Sequence, residues 1–419
     1  MAQHDLIDDL IDISKGLGSL RDPISGLTDT LLGEAPEAPT WNPADYKERP
    51  RANTIPCLVC RHETSACTAC MDVCPVDAID IEDGSIEIGN ACRKCGLCVA
   101  ACPTEAFVSP KLQPKKLYEE ISRAALAHET AYITCTRALR RIPRENEVVI
   151  ACVGAVPVEV WFSVLTEFSN VSVYLPLDIC NACKTVTGEN QLADYIATAE
   201  EWAGTGLGLE VDPARLTCKK RREFERKEFM DDIVRTTGLA VSRLNPAAAA
   251  VASVSQRLQA HANRISDLER TLSNACGVTT EKRRRILLQR RQLLLSALQL
   301  VPERAESVQV KRPVCDFARC TMCGECVSAC PVHACDLVAA GRFSVEPTYC
   351  VGCGLCTEVC PTQALSLHDF DGADLVVPDP EAEAREAAVA RAHQDAQRIK
   401  EEVRGKISSA LDFVERLAD

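Results

Sequence analysis

The period of the hydrophobic positions changes several times along the chain. Residues 3–32 place Leu6, Leu10 and Leu17, then Ile24, Leu27 and Leu31, at helical spacing. Gly16, Gly18 and Pro23 divide this stretch into two short amphipathic helices. Pro36, Pro39, Pro43, Pro50 and Pro56 make residues 33–56 an extended linker or wrapping arm. Between 130 and 205 the pattern predicts strands at Ala131–Cys135, Val148–Cys152 and Val171–Leu175, and helices at Pro157–Phe168 and Glu189–Trp202. Strands alternating with helices predict a parallel α/β sheet. Residues 219–312 are mostly helical in pattern. Residues 381–419 form one charged helix with an apolar stripe at Ile399, Val403, Ile407, Leu411, Val414 and Leu417.

The run from Val148 to Leu165 is about long enough to span a bilayer. Gly154, Pro157 and Glu159 interrupt it, so a strand, a turn and a helix explain it better. The opening MAQHDLIDDLIDISKG has no positive start leading into an apolar stretch, and no twin-arginine pair. The expectation is a cytoplasmic chain without a secretory signal.

Composition sharpens this. Of 419 residues, 25 are cysteine, and in a reducing compartment such thiols are metal ligands or catalytic groups rather than disulfides. The net charge of −13 and 4% aromatics argue against a general nucleic-acid binder, which needs many cationic contacts to phosphate. The local balance differs at 219–312, where 20 Lys/Arg face 10 Asp/Glu. Its runs KKRR (219–222) and KRRR (282–285) read as solvated helix faces. They are also candidates for docking an acidic partner or for peripheral attachment to an anionic membrane.

Most cysteines fall into a repeat. CTMCGECVSACP supplies Cys320, Cys323, Cys326 and Cys330, and CVGCGLCTEVCP supplies Cys350, Cys353, Cys356 and Cys360. Nearer the N-terminus, CRKCGLCVAACP supplies Cys92, Cys95, Cys98 and Cys102. A modified run keeps Cys67, Cys70 and Cys74 before Pro75, but Thr64 stands where its first cysteine belongs. Cys60 or Cys57 must reach in, and Cys60 closes the shorter loop. Each complete run is C-x2-C-x2-C-x3-C-P, the spacing of bacterial ferredoxins. Soft thiolates suit iron–sulfur centres. Structural zinc, by contrast, uses paired cysteines rather than triplets followed by Cys-Pro.

Residues 57–108 and 315–368 resemble the bacterial-type 2[4Fe-4S] dicluster ferredoxin domain, in a two-copy, polyferredoxin-like arrangement. The resemblance implies four [4Fe-4S] clusters and exchange of the fourth ligand between neighbouring runs. The implied sets are Cys60, Cys67, Cys70 and Cys102; Cys92, Cys95, Cys98 and Cys74; Cys320, Cys323, Cys326 and Cys360; and Cys350, Cys353, Cys356 and Cys330. Cys57 is the alternative to Cys60. VDAIDIEDGSIEIGNAC and ACDLVAAGRFSVEPTYC fit the short hairpin that such domains place before their second motif.

The frames YITC, VVIACVGAVP and DICNAC hold Cys135, Cys152, Cys180 and Cys183. The predicted topology brings them to the carboxyl ends of parallel strands, where α/β sheets bind ligands. Pro157, opening a helix, would aim its N-terminus near Cys152 and lower that thiol's pKa. The spacing C-x16-C-x27-C-x2-C is similar to the [2Fe-2S] delta subunit of methanogen-type hydrogenase–heterodisulfide reductase complexes. That likeness implies a fifth centre, a [2Fe-2S] cluster or other metal. The same four residues also read as ordinary buried cysteines, or as a redox-active pair at Cys180 and Cys183. Cys218, Cys276, Cys315 and Cys335 read as structural, and His62 as a surface or hydrogen-bonded histidine rather than a ligand.

The expected fold is thus α+β and multidomain. Two ferredoxin-like dicluster modules (57–110 and 313–370) flank a parallel α/β domain (111–218) and a basic helical insert (219–312). Amphipathic helices and the Pro-rich arm (1–56) precede them, and a charged helix (371–419) comes last. There is no Walker sequence, no GxGxxG fingerprint and no nucleophile–base constellation. The functional expectation is a non-catalytic iron–sulfur electron-transfer protein of anaerobic metabolism, a relay subunit or shuttle for a partner oxidoreductase. The alternative is a ferredoxin-type accessory protein that docks on an apo-oxidoreductase during maturation.

Overall fold

The computed structural model describes residues 40–221, 246–338 and 342–378, with single helical positions at 391 and 398. The helices expected over 3–32, the bulk of the helix over 381–419 and residues 222–245 of the basic insert lie outside the described residues. The chain divides into Met1–Asn42 and Pro43–Asp419, and every described strand and helix belongs to the second unit. No helix among the described residues is long and apolar enough to cross a membrane.

The architecture is mixed α+β. A four-stranded sheet runs Glu147–Ile150, Ala131–Cys135, Val171–Tyr174, Gly208–Glu210 in spatial order, with every pairing parallel. Three strands match the expected alternation, and Gly208–Glu210 adds an edge that the glycine-rich TGLGLE sequence did not reveal. The helices Pro114–Ala127, Val158–Glu167 and Gly188–Ala203 accompany the sheet. Trp161, Phe162, Val160 and Val164 are fully buried among them. Pro157 is the N-cap of its helix rather than the first helical residue.

Each cysteine-rich region contains two small antiparallel sheets. In the first, Ile79–Glu82 pairs with Ser85–Ile88, and Arg51–Ala52 pairs with Phe107–Val108. In the second, Cys335–Val338 pairs with Arg342–Val345, and Val310–Cys315 pairs with Leu365–Phe370. The hairpins sit where the sequence placed them. The opening strands Arg51–Ala52 and Val310–Cys315 begin a few residues upstream of each expected boundary, because the strand that ends a region needs a partner from its start.

One helix joins all of this. Gln289–Leu300 buries Leu293, Leu294, Leu295 and Leu298. Its start is polar and still enclosed. The Glu105 carboxylate accepts from the backbone N–H groups of Gln289 (3.2 Å) and Arg290 (2.8 Å), which are orphan donors of the first turn. Arg290 Nε donates to Glu159 at 2.9 Å, and Nη1 donates to the carbonyls of Ala100 (2.8 Å) and Cys102 (3.1 Å). Arg291 turns the other way and donates to the Cys350 carbonyl. Further into the helix, Ser163 Oγ donates to the Leu293 carbonyl at 3.3 Å.

The expectation of solvated basic faces fails for part of the insert. The Arg285 side chain is enclosed, pairs with Asp336 at 3.3 Å and donates to the carbonyls of His333 and Cys276. Arg283, by contrast, pairs with Glu281 at the surface. A periodicity argument cannot separate these neighbours, because the segment Gly277–Leu288 is a loop rather than a helix.

The helix Pro246–Cys276 packs through Ile265, Leu268 and Leu272. His261 stacks on Tyr118 with ring centroids 4.1 Å apart, and Arg264 Nη2 lies 2.8 Å from its Nδ1. Burial, with Arg264 and Lys115 adding, pushes the imidazole down to about 3.

Burial alone would raise the Glu159 carboxyl, but the charge and hydrogen bond of Arg290 outweigh it and hold the group below its usual range. Glu159→Gln removes the carboxylate that bonds the Arg290 side chain, leaving only the charge of Glu105 nearby, and is expected to lower unfolding stability by about 3 kcal/mol, read by chemical denaturation. Because the folded pKa of His261 lies below its unfolded value, the unfolded chain binds the extra proton. Its contribution is therefore complete above about pH 6.5 and is lost as pH falls from there toward 3. His261→Phe should flatten the stability–pH curve across that window.

Candidate metal centres

The three complete runs share one backbone path. Lys94 and Gly96 (φ 56° and 85°), Met322 and Gly324 (60° and 80°), and Gly352 and Gly354 (66° and 83°) take left-handed conformations. The second residue of each pair, a glycine, then opens a short helix carrying the third cysteine: Leu97–Ala101, Glu325–Ala329 and Leu355–Glu358. Left-handed residues placed this closely curl the loop so that successive N–H groups face one concavity, an arrangement that favours anionic groups such as thiolates. The modified run has no such pair, and Thr68 opens its helix Ala69–Asp72.

The fourth cysteines share a second device. After each Cys-Pro, one residue further on, comes a left-handed residue, Asp77, Glu105, His333 or Gln363, and then alanine. The N–H groups of Ala78, Ala106, Ala334 and Ala364 donate to the sulfurs of Cys74, Cys102, Cys330 and Cys360, each at 3.2 Å. The modified run keeps this bond. Its signal stands in the sequence as CPVDA, CPTEA, CPVHA and CPTQA, of which the ferredoxin spacing takes in only the Cys-Pro part.

The electrostatic neighbours of the thiols define which cysteines meet. Burial pushes Cys70 up to about 12, with Cys102, Cys67 and Cys57 adding. Cys67 is likewise raised, and its cysteine neighbours are Cys102 and Cys57. Cys60, pushed up to about 11 by burial and by a hydrogen bond with Cys57, has Cys57 as its thiol neighbour. Cys57 is buried at the N-cap of the helix Leu58–Arg61, whereas Cys60 lies within that helix. Cys57 is thus the more buried of the two and is the one that acts electrostatically on Cys67 and Cys70.

In the second run, burial raises Cys95 and Cys98, and their shared neighbours are Cys92 and Cys74. Cys98 also faces Cys70 of the first group. In the C-terminal region, burial pushes Cys326 up to about 12, and its neighbours are Cys320, Cys323, Cys360 and Cys356. Cys320, Cys323, Cys326 and Cys360, with Cys315, line a cleft of about 340 Å³. Burial raises Cys353, whose neighbours are Cys330, Cys356 and Cys350. Cys335 donates its thiol hydrogen bond toward Cys330, which is lowered to about 6. Cys335 itself is raised well above its ordinary value by that bond and a second with Cys356.

The middle cysteines converge. Cys135, Cys152, Cys180 and Cys183 line a cleft of about 420 Å³ with Arg137, Gly154, Gly188 and Glu189. Cys135 ends its strand, and Cys152 comes two residues after the strand Glu147–Ile150. Burial pushes Cys152 up to about 12, with Cys135, Cys95 and Cys183 adding. This reverses the expected lowering by a helix N-terminus, since desolvation outweighs the single N–H of Gly154. Burial, Glu189 and neighbouring thiols push Cys180 up to about 11. A side chain at Gly188 would stand 2.7 Å from the Cys152 sulfur, so that glycine leaves the thiol its place. Thr187 Oγ1 donates to the Val73 carbonyl at 2.7 Å, tying the cleft to the loop before Cys74.

Among the described residues, no group of three or more His, Cys, Asp or Glu is gathered closely enough to hold a single metal ion. The donor sets still fit iron–sulfur cores in their chemistry, with four soft thiols apiece, N–H donors aimed at sulfur and a cradle kept clear by glycine.

A family profile described as a 4Fe-4S dicluster domain matches residues 319–364, and another described as a 4Fe-4S binding domain matches residues 89–105. An uncharacterized ferredoxin of Methanocaldococcus jannaschii is 44% identical over 52 residues, which are 12% of this chain and 30% of that protein. The chain thus spans under a third of that relative's length. No solved structure matches. On these matches the chain carries iron–sulfur domains of the ferredoxin kind, which supports a generic electron-transfer role.

Proposed function

We propose that this chain is a non-catalytic electron-transfer protein holding four [4Fe-4S] clusters and a fifth centre, and that it serves a partner oxidoreductase as relay subunit or shuttle. The four cluster sets are Cys57, Cys67, Cys70 and Cys102; Cys74, Cys92, Cys95 and Cys98; Cys320, Cys323, Cys326 and Cys360; and Cys330, Cys350, Cys353 and Cys356. Cys57 replaces Cys60 because Cys67 and Cys70 have it as their neighbour. Cys135, Cys152, Cys180 and Cys183 form the fifth set, for which a [2Fe-2S] cluster is the proposed occupant. When bound, such clusters supply single-electron transfer.

The observation that carries this reading is the fourfold N–H to sulfur bond of the Cys-Pro-x-x-Ala segments. A hydrogen bond to the charged form of a thiol stabilises that form, and donors to cluster sulfur tune its potential. The burial that raises most of these thiols works the other way. Four thiolates crowd together only where a cationic core offsets their repulsion, and loading releases their protons. A core of several iron atoms spans its ligands instead of drawing them to one point, so the spread of the thiols is in keeping with it.

Anaerobic iron and sulfide analysis is expected to give about 16 iron per chain from the four sets and about 2 more from the fifth. Cys57→Ser should remove about 4 iron and Cys60→Ser none; the reverse pattern would return Cys60 to the ligand set. Cys152→Ala should lower iron by about 2 and leave the spectra of the four-iron sets unchanged. Unaltered iron in that variant would remove the fifth centre.

A further inference from the structure

The first cysteine run is the irregular one. Nine residues separate Cys57 from Cys67 where the other runs have two between their first cysteines. Ligation alone does not call for this length. The extra residues include the helix Leu58–Arg61, and both ends of that helix are engaged with the C-terminal cysteine-rich region. Leu58, 3% exposed, packs with Ala329, Leu355 and Val359, and Cys67 and Cys353 lie against the same cluster. Arg61 Nε donates to the Ala329 carbonyl at 2.7 Å, and Nη2 reaches the carbonyls of Ser328 and Cys330, each at 3.4 Å. Its Nη1 donates to the Ile55 carbonyl at 3.2 Å, which anchors the guanidinium on its own side.

The chemistry of this contact is specific. The helix Glu325–Ala329 ends in carbonyls with no partner further along the helix, and a guanidinium both satisfies them and suits their partial negative charge. Cys330, one of the proposed ligands, contributes a carbonyl to the same fork.

We propose that the lengthened first run is an internal docking element. Leu58 and Arg61 seat the C-terminal ferredoxin-like region on the N-terminal one, and Arg61 is the positioning residue that holds the two regions together around the Leu58 cluster, against which Cys67 and Cys353 both pack. The inference rests on the iron–sulfur reading above and deepens it, because it makes one row of what the repeat alone would leave as two separate pairs. The order is the Cys320/323/326/360 set, the Cys330/350/353/356 set, the Cys57/67/70/102 set and the Cys74/92/95/98 set. The helix Glu325–Ala329 carries Cys326 and is capped by Cys330, joining the first two sets; Cys353 and Cys67 pack against the same Leu58 cluster at the second junction; and the helix Leu97–Ala101 carries Cys98 and is capped by Cys102, joining the last two. Beyond the row, Cys152 of the middle cleft has Cys95 as a neighbour.

The test uses the full chain loaded with iron and sulfide and reduced for electron paramagnetic resonance. In the double variant Cys353→Ser/Cys356→Ser, the signal of the Cys57/67/70/102 set should lose the splitting that a neighbouring spin imposes. An unchanged signal would overturn the row. Arg61→Gln should keep the wild-type iron count while the interaction across the regions falls at least about twofold, and hydrogen exchange over 325–330 should rise. Unchanged splitting and exchange in Arg61→Gln would overturn its positioning role. If Arg61→Gln loses iron, Leu58→Ala replaces it with the same two readouts and the same criteria. A wild-type protein holding under half of the expected iron would refute the cluster reading itself, whereas full iron without any interaction across the regions would refute the docking alone.

Discussion

Two adjacent arginines hold this protein together. At the start of Gln289–Leu300, Arg290 answers the Glu159 carboxylate of the α/β domain and the backbone around Cys102, while Arg291 reaches the Cys350 carbonyl in the other cysteine-rich region. A largely enclosed guanidinium is costly unless its donors are met; Arg290 meets its own with Glu159 and the carbonyls of Ala100 and Cys102, whereas Arg291 reaches the Cys350 carbonyl through Nη2 and buries Nη1 without a partner. An arginine fork supplies several hydrogen bonds in one rigid plane, which suits backbone carbonyls that no helix or strand pairs. Arg61 and Arg285 do the same at other cysteine loops.

The cysteine regions balance two opposing effects. Burial and mutual proximity favour neutral thiols, as the upward shifts of Cys70, Cys152, Cys326 and Cys350 record. The left-handed turns and the alanine N–H groups favour thiolates. Where both act on one residue, the donors can prevail. Cys360 lies below its ordinary range although burial pulls it upward, because Ala364, Thr362 and Leu365 all donate to it. At Cys360 the backbone donors thus favour the thiolate over the thiol.

Much of the local structure was legible in the sequence. The strand Ala131–Cys135 and the helix Val158–Glu167 lie within a residue of their expected bounds, since β-branched runs bounded by turns and a Pro-capped apolar segment are strong local signals. The convergence of Cys135, Cys152, Cys180 and Cys183 on one cleft also followed from parallel topology. What escaped were relations across long chain separations. Loop length favoured Cys60, and the helical turn that begins at Cys57 sets the two thiols side by side, a relation that spacing does not show. Charge density suggested solvated arginines, but only tertiary contacts reveal that Arg285 meets Asp336. The role of Gln289–Leu300 was invisible, because its partners lie up to 190 residues away.

That helix also bears on how the chain is made. During synthesis, all nine cysteines of the first region emerge by Cys102, and the sheet is complete by Glu210. The groups that brace them, Arg290 and Arg291, emerge some eighty residues later. The first region and the α/β domain therefore leave the ribosome before the element that fastens them, and contacts of such high sequence separation form late. In that interval the backbone around Cys102 lacks the hydrogen bonds that Arg290 gives it in the finished protein.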